Sequence, residues 1–414
     1  MLKRIAVDDL RLGMFVEELC GSWLDHPFWR SSFVIEDPRD IQRIQESSVR
    51  ELWIDVSKGL DVESKTASAQ VVQNTAAVDQ MLASANNGLE QKNNLVRIPA
   101  VRERIRARKI LANSKTAVSS MFKEARLGKA LQAADAIPLV EEISGSVSRN
   151  PGALISLARL KTKDDYTYMH SVAVCALMIA LAREMDMSAE DVREAGMAGL
   201  LHDIGKMAIP LGVLNKPGKL TDEEFFIVKN HPVAGHEMLT EANGVSDITL
   251  DVCLHHHEKV DGSGYPHKLA GDQISKFAKM GAVCDIYDAI TSDRPYKKGW
   301  TPGESLRKMA EWSKGHFDPL IFQAFVKSVG IYPIGSLVRL ESHRLAVVID
   351  QSESSLLTPV VKVFFSIKSN TRILPTLLDL SRPSVNDRVV SHENPEKWKI
   401  TDLDEVMDSA NLEV

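Results

Sequence analysis

A histidine and an aspartate stand side by side at the end of an apolar run, Leu200-Leu201-His202-Asp203-Ile204-Gly205-Lys206, and an ammonium follows three residues after the carboxylate. This is a metal site in outline. Adjacent helical residues point about 100° apart, so the pair is expected to reach outward to two ions and not to grip one together. Lys206 falls one turn on, on Asp203's side, where it can meet a phosphoryl oxygen. Alone, such a pair also suits a surface or capping role, and the rest of the chain has to decide.

Eight of the twelve histidines fall between residues 166 and 293. The segment from about Asp164 to Arg183 is apolar almost all round (Val172, Val174, Leu177, Met178, Ile179, Leu181), which predicts a buried helix with His170 inside it. The next helix starts at Ser188 as N-cap, turns Val192, Ala195, Leu200 and Leu201 inward and delivers His202 and Asp203 before Gly205 stops it. Thr221-Asp222-Glu223-Glu224 opens a helix by the capping-box pattern and leads to His231-Pro232; His236, about 140° further round, is read as structural. Another helix ends in His255-His256-His257-Glu258 and enters Asp261-Gly262-Ser263-Gly264-Tyr265-Pro266. A helix over about Gln273–Ser292 is apolar yet carries Asp285 and Asp288 one turn apart, and a carboxylate in such a helix needs a cation or strong donor. The loop Asp293-Arg294-Pro295-Tyr296-Lys297-Lys298 is basic and suits a phosphate clamp or a solvated turn.

These residues make a mixed nitrogen and oxygen ligand set without any CxxC. Such a set suits two divalent ions, iron or manganese first, with nickel, zinc or magnesium compatible, better than a Cys-rich structural zinc site. Six or seven ligands exceed what one catalytic ion takes from protein. Two ions about 3.5–4 Å apart clamp an in-line displacement at phosphorus, which points to phosphodiester hydrolysis. Cys175, Cys253 and Cys284 lie near the ligands in sequence and are read as small buried hydrophobes.

The 414 residues, 44% hydrophobic and 26% charged, suffice for two or three domains. A net charge of -6 gives no general attraction to DNA or anionic lipid. The four cysteines lack disulfide spacing, and no run of about 18 apolar residues occurs, so a cytoplasmic protein without a membrane span is expected. In order, the chain reads as a small α+β domain over 1–60 (strands at 14–16, 33–35 and 51–56, with Trp23, Trp29 and Trp53), a polar linker over 61–99 and connecting helices over 100–149. A helical catalytic domain over 150–330, a small β extension over 331–390 and a polar acidic tail over 391–414 follow. The long helix from about residue 100 offers a homodimer surface, and its arginines are read as a solvated face or interdomain contact.

Tyr166-Thr167-Tyr168-Met169-His170-Ser171, His202-Asp203-Ile204-Gly205-Lys206, His231-Pro232, His256-His257-Glu258 with Asp261-Gly262-Ser263-Gly264-Tyr265-Pro266, and Asp285-Ile286-Tyr287-Asp288-Ala289 followed by Arg294-Pro295-Tyr296 together resemble the HD-GYP family of cyclic di-GMP phosphodiesterases. Residues 1–60 also resemble the small domain of poorly defined role often found ahead of this module. The resemblance implies a mainly α fold built on an HD-type helical bundle, and hydrolysis of cyclic di-GMP to linear pGpG and often onward to GMP. It implies that Asp203 bridges two metals whose shells His170, His202, His231, His256, His257 and Asp285 complete, leaving His255 without an assigned role. Lys206 would touch the scissile phosphate and assist the leaving oxygen; Tyr265, Asp288, Arg294 and Lys297 would complete the substrate contacts. Members with a third ion use a Glu four residues before the first histidine, where this chain has Tyr166, so two metals are expected. The rival readings are a silent cyclic di-GMP sensor that reports to signalling partners, and an HD phosphohydrolase of another nucleotide.

Overall fold

Short runs in which apolar and polar residues alternate form strands when one face can be buried, and the N-terminal segment has four of them. Strands β1 (Leu2–Ala6), β2 (Phe15–Leu19), β3 (Phe33–Val34) and β4 (Glu51–Asp55) make an antiparallel sheet in the order β1-β4-β2-β3. The helix Pro38–Glu46 completes the unit, and Ile5, Met14, Val16, Ile35, Ile44, Leu52 and Ile54 form its core. β1 is absent from the sequence reading because Lys3 and Arg4 interrupt it; its pairing supplies the pattern, with Ile5 opposite Leu52. The structure is a computed structural model that describes residues 2–19, 32–35, 37–46, 49, 51–61, 78, 80–82, 85, 97–129, 131–159, 161, 166–216, 220–292, 299–352 and 354–409. Trp23, Trp29, Arg294 and Lys297 lie outside the described residues.

The chain separates into two compact units, Met1–Gln80 with Gly218–Asp222, and Met81–Pro217 with Glu223–Val414. The second unit is a helical bundle. Its helices are Ala100–Arg126, Ile137–Arg149, Pro151–Ala158, Tyr166–Glu184, Ala189–Leu201, Leu211–Leu214, Asp222–Lys229 (whose first residue belongs to the smaller unit), His231–Thr240, Asp247–His255, Lys276–Thr291, Pro302–His316 and Pro319–Val329. Several caps are those the sequence spells out. Ser188 Oγ accepts from Asp191 N at 3.0 Å, Asn150 caps the helix that Pro151 opens, and Asp318 accepts from Leu320 N and Ile321 N.

The helix Tyr166–Glu184 is long and apolar enough to cross a membrane, although 78% of its apolar window is buried inside the bundle. It packs against Ala189–Leu201 at very short range: a Cβ on Gly199 would come within 2.9 Å of Cys175 Cα. Cys175, Cys253 and Cys284 are all fully buried, and burial raises each thiol's pKa, so they act as inert core residues.

The C-terminal strands β5 (Leu337–Leu340), β6 (Arg344–Asp350), β7 (Val360–Ser366), β8 (Thr371–Asp379) and β9 (Val389–His392) form an antiparallel sheet in the order β8-β7-β6-β5-β9. Residues from 391 onward do more than their acidic composition suggests. Val406 and Met407, on the helix Leu403–Asp408, are buried in one core with Ala100, Ala153, Ile334 and Leu345. Asp408 accepts from Arg104 Nε at 3.1 Å and from Arg108. The arginine-rich opening of the long helix therefore holds the helix Leu403–Asp408.

Candidate metal centre

The His202 helix ends at Leu201, and the backbone leaves helical geometry at Asp203 (φ −103°, ψ 10°) before a 3-10 turn over Ile204–Ala208. The expectation that His202 and Asp203 splay apart holds only for a continuing helix. With the turn, His202 Nε2 lies 3.4 Å from Asp203 Oδ2. Gly205 serves less as a helix stop than as a close-approach residue: a Cβ there would sit 1.9 Å from His231 O and 2.4 Å from Gly235 N. Its bare backbone lets the helix His231–Thr240 settle on the turn, bringing His231 Nε2 to 3.2 Å from Asp203 Oδ1.

Asp203 is 1% exposed and its two oxygens face different neighbours. Oδ2 lies 3.3 Å from His170 Nε2 and also pairs with Lys206. Oδ1 faces His231 and, at 3.9 Å, His256 Nε2. The ligand atoms of His170, His202 and Asp285 lie within 4.8 Å of one another, as do those of His231, His256 and His257, and those of His202, Asp203 and His256 join the two groups. The helix Lys276–Thr291 brings both of its aspartates to one imidazole: Asp285 Oδ1 is 2.9 Å from His170 Nε2, and Asp288 Oδ2 accepts from His170 Nδ1 at 2.6 Å. His257 Nδ1 is 3.7 Å from Asp285 Oδ2.

The hydrogen bonds behind the rings decide what the front can do. His231 Nδ1 donates to Val228 O at 2.7 Å and His256 Nδ1 to Cys253 O at 3.0 Å. In a neutral imidazole this leaves Nε2 as a lone pair. The two Nε2 atoms nevertheless face each other at 3.3 Å, beside Asp203 Oδ1, which is buried and accepts no hydrogen bond. With both rings neutral, three electron-rich atoms are gathered at one point, an arrangement that fits a cation. Two nitrogens each about 2.1 Å from one ion and roughly at right angles would be about 3 Å apart. His202 repeats the arrangement, with Nδ1 bonded to Gly199 O at 2.8 Å and Nε2 3.2 Å from His170 Nε2.

Charges in the cluster are strongly coupled. Burial and the neighbouring imidazoles push His256 down to about 3, and burial with His256 pushes His257 well below its usual range. Burial disfavours a charge on His170, but Asp203, Asp285 and Asp288 outweigh it and raise its pKa well above 6.5. Asp203 and Asp285 are held ionised against burial, the first chiefly by Lys206 and His202 and the second by His170. Lys206 is raised by Asp203 and Asp285 in spite of burial. These carboxylates and imidazoles form a site that attracts positive charge.

The remaining candidates divide. Tyr265 stacks on His257 (ring centroids 4.7 Å apart) at the mouth of the cluster, with Lys229 Nζ 5.1 Å from its ring. The loop is braced by Glu258, which accepts from His267 N and Leu269 N. Asp288 was expected at the substrate; the structure turns it to the back of the His170 ring, where it also pairs with Lys161. His255 faces away from the cluster, bonded to Asp251 at 2.7 Å and His267 at 3.0 Å. Sequence reasoning missed Lys161, which sits in a polar run, and Arg126, which donates to Lys206 O at 3.2 Å and Ile209 O at 2.9 Å. Neither carries a motif, and only folding shows them.

Residues 2–136 match the family model described as a domain of unknown function (DUF3391), and residues 146–321 match that of the HD domain. The chain is 57% identical over 407 residues to "Cyclic di-GMP phosphodiesterase PA4108" of Pseudomonas aeruginosa, covering 98% of this chain and 95% of the relative. It is 42% identical over 148 residues to "Cyclic di-GMP phosphodiesterase response regulator RpfG" of Xanthomonas campestris, 36% of this chain and 39% of that one. It is also 32% identical over 177 residues to "3'3'-cGAMP-specific phosphodiesterase 1" of Vibrio cholerae, covering 42% of this chain and 41% of that protein. With its histidine and aspartate clusters gathered around Asp203 and a near full-length relative of this kind, the chain belongs to the HD-GYP family of cyclic di-GMP phosphodiesterases.

Proposed function

We propose that this chain hydrolyses cyclic di-GMP to pGpG, with onward cleavage to GMP, at a centre of two divalent metal ions. His170, His202 and Asp285 would hold one ion, His231, His256 and His257 the other, and Asp203 both. The observation that carries this reading is the meeting of His231 Nε2, His256 Nε2 and Asp203 Oδ1, a buried set of acceptor atoms that suits a cation. When bound, such ions supply a water of lowered pKa and neutralise charge developing at phosphorus.

The chain's own residues do the rest. Lys206, hydrogen-bonded to Asp203 Oδ2 at the edge of the cluster, holds a proton at Nζ for the departing oxygen. The Tyr265 ring, fixed against His257, offers a flat surface to a guanine. Arg294 and Lys297, outside the described residues, are assigned to the second phosphate. Tyr166 stands where a third ion would need a carboxylate, and its ring lies over His170, which supports two ions and not three.

The assay that tests this uses protein reconstituted anaerobically with iron or manganese against cyclic di-GMP, pGpG, 3'3'-cGAMP and cyclic di-AMP. Turnover of cyclic di-GMP ahead of the others supports the reading. Tight nucleotide binding without turnover under every metal makes the chain a sensor, and preference for another nucleotide shifts the substrate. A cytoplasmic enzyme with residues 61–99 as a linker, dimeric through the helices before residue 150, completes the proposal; limited proteolysis and light scattering test those parts.

A further inference from the structure

Lys161 opens the polar run Lys161-Thr162-Lys163-Asp164-Asp165, yet its side chain is fully shut off from solvent. An ammonium buried without partners would cost several kcal/mol, and its partners here are specific. Nζ pairs with Asp288 Oδ2 and donates to Ser292 Oγ at 2.9 Å. The same Oδ2 accepts from His170 Nδ1 at 2.6 Å. The Tyr166 ring lies 5.5 Å from Nζ and stacks on the His170 ring with an interplanar angle of 9°.

Three other rings of the cluster are oriented differently. His202, His231 and His256 bond through Nδ1 to the carbonyls of Gly199, Val228 and Cys253, three residues earlier in each case. A carbonyl so near in the chain is fixed by its own backbone. His170 relies instead on a carboxylate side chain, which has rotamers to lose and needs a further group to hold it. We propose that Lys161 is the positioning residue of the metal centre: it locks Asp288, and Asp288 locks the His170 ring so that Nε2 points at Asp203 and Asp285. An anionic acceptor behind a ligating imidazole also makes it a stronger ligand. Lys161 therefore acts on one ion subsite and leaves the other alone. The inference rests on the two-ion reading above.

Titration of the metal-free full-length chain with Mn(II) under anaerobic conditions tests it, with stoichiometry and affinity read by calorimetry and metal analysis. The variants are Lys161→Met and the double variant Lys161→Met/Asp288→Asn, in which no charge is stranded and which carries the measurement if the single variant fails to fold. Wild type is expected to take up two ions. In both variants one ion is expected to bind as in wild type and the other about 10- to 100-fold more weakly, while the double variant melts near the wild-type temperature. Two ions bound at undiminished affinity in either variant overturn the proposal, as does equal weakening of both ions. A wild-type chain that binds no ion removes the two-ion reading itself, a separate outcome.

Discussion

Lys161 in the helical bundle and Lys362 in the C-terminal sheet are both closed off from water, and they are satisfied in opposite ways. Lys161 meets a carboxylate that accepts from the His170 ring. Lys362, 1% exposed, donates to Met407 O at 3.0 Å and Ser409 O at 2.9 Å, binding the C-terminal end of the helix Leu403–Asp408 to strand β7. Burial lowers the Lys362 pKa and Asp408 acts against it. The lesson is that a buried charge says little by itself; what its partner does next separates chemistry from scaffolding.

Substitutions can break this contrast. The largest effect is expected at Asp203, where both halves of the cluster meet: Asp203→Ala should lower phosphodiesterase turnover by more than about a thousandfold and empty the centre, read by product chromatography and metal analysis. Retention of bound metal with near-normal turnover would erase the distinction between site and scaffold. Lys362→Met should leave turnover per folded molecule intact but strand two carbonyls, costing about 1–3 kcal/mol, visible as a lower denaturant midpoint. A change in metal content there would place Lys362 with the chemistry.

A scaffold carboxylate gives a smaller, pH-dependent effect. Glu103 is fully buried and accepts from Ser146 Oγ and from Arg149 Nε and Nη2. Burial raises its pKa, but the Arg149 and Ser146 bonds outweigh this and hold it below its usual value. A carboxylate depressed in the folded state adds stability that is present above the unfolded pKa of about 4.3 and lost as pH falls through the folded value. The stability difference between wild type and Glu103→Gln should therefore shrink from pH 7 to pH 3.5 in urea titrations, and a constant difference would refute the assignment. The smallest effect is expected at His255. Beside two cluster residues in sequence but turned toward Asp251 and His267, it should tolerate Ala with turnover changed by no more than about twofold.

The helical bundle and its histidines were legible because local pattern and chemistry agree there. His170 and Asp285 stand out as polar groups on otherwise apolar helices, and Ser188 announces a helix start. What stayed hidden depends on partners far along the chain. The helix Leu403–Asp408 offers two buried apolar residues among acids, and its meaning comes from Arg104, some 304 residues away. Asp288 is indistinguishable from Asp285 until the His170 ring is seen to lie between them. The relation of His202 to Asp203 was misread because the sequence does not mark the residue at which helical geometry ends.

The helix Ala100–Arg126 has 27 residues, about 40 Å at 1.5 Å per residue. One end is moored: Ala100 N donates to Asp350 Oδ2, and Arg104 and Arg108 grip Asp408. At the other, Arg126 holds the backbone oxygens of Lys206 and Ile209. This strut therefore ties the backbone of the turn that carries Lys206 to Asp350 of strand β6 and to Asp408.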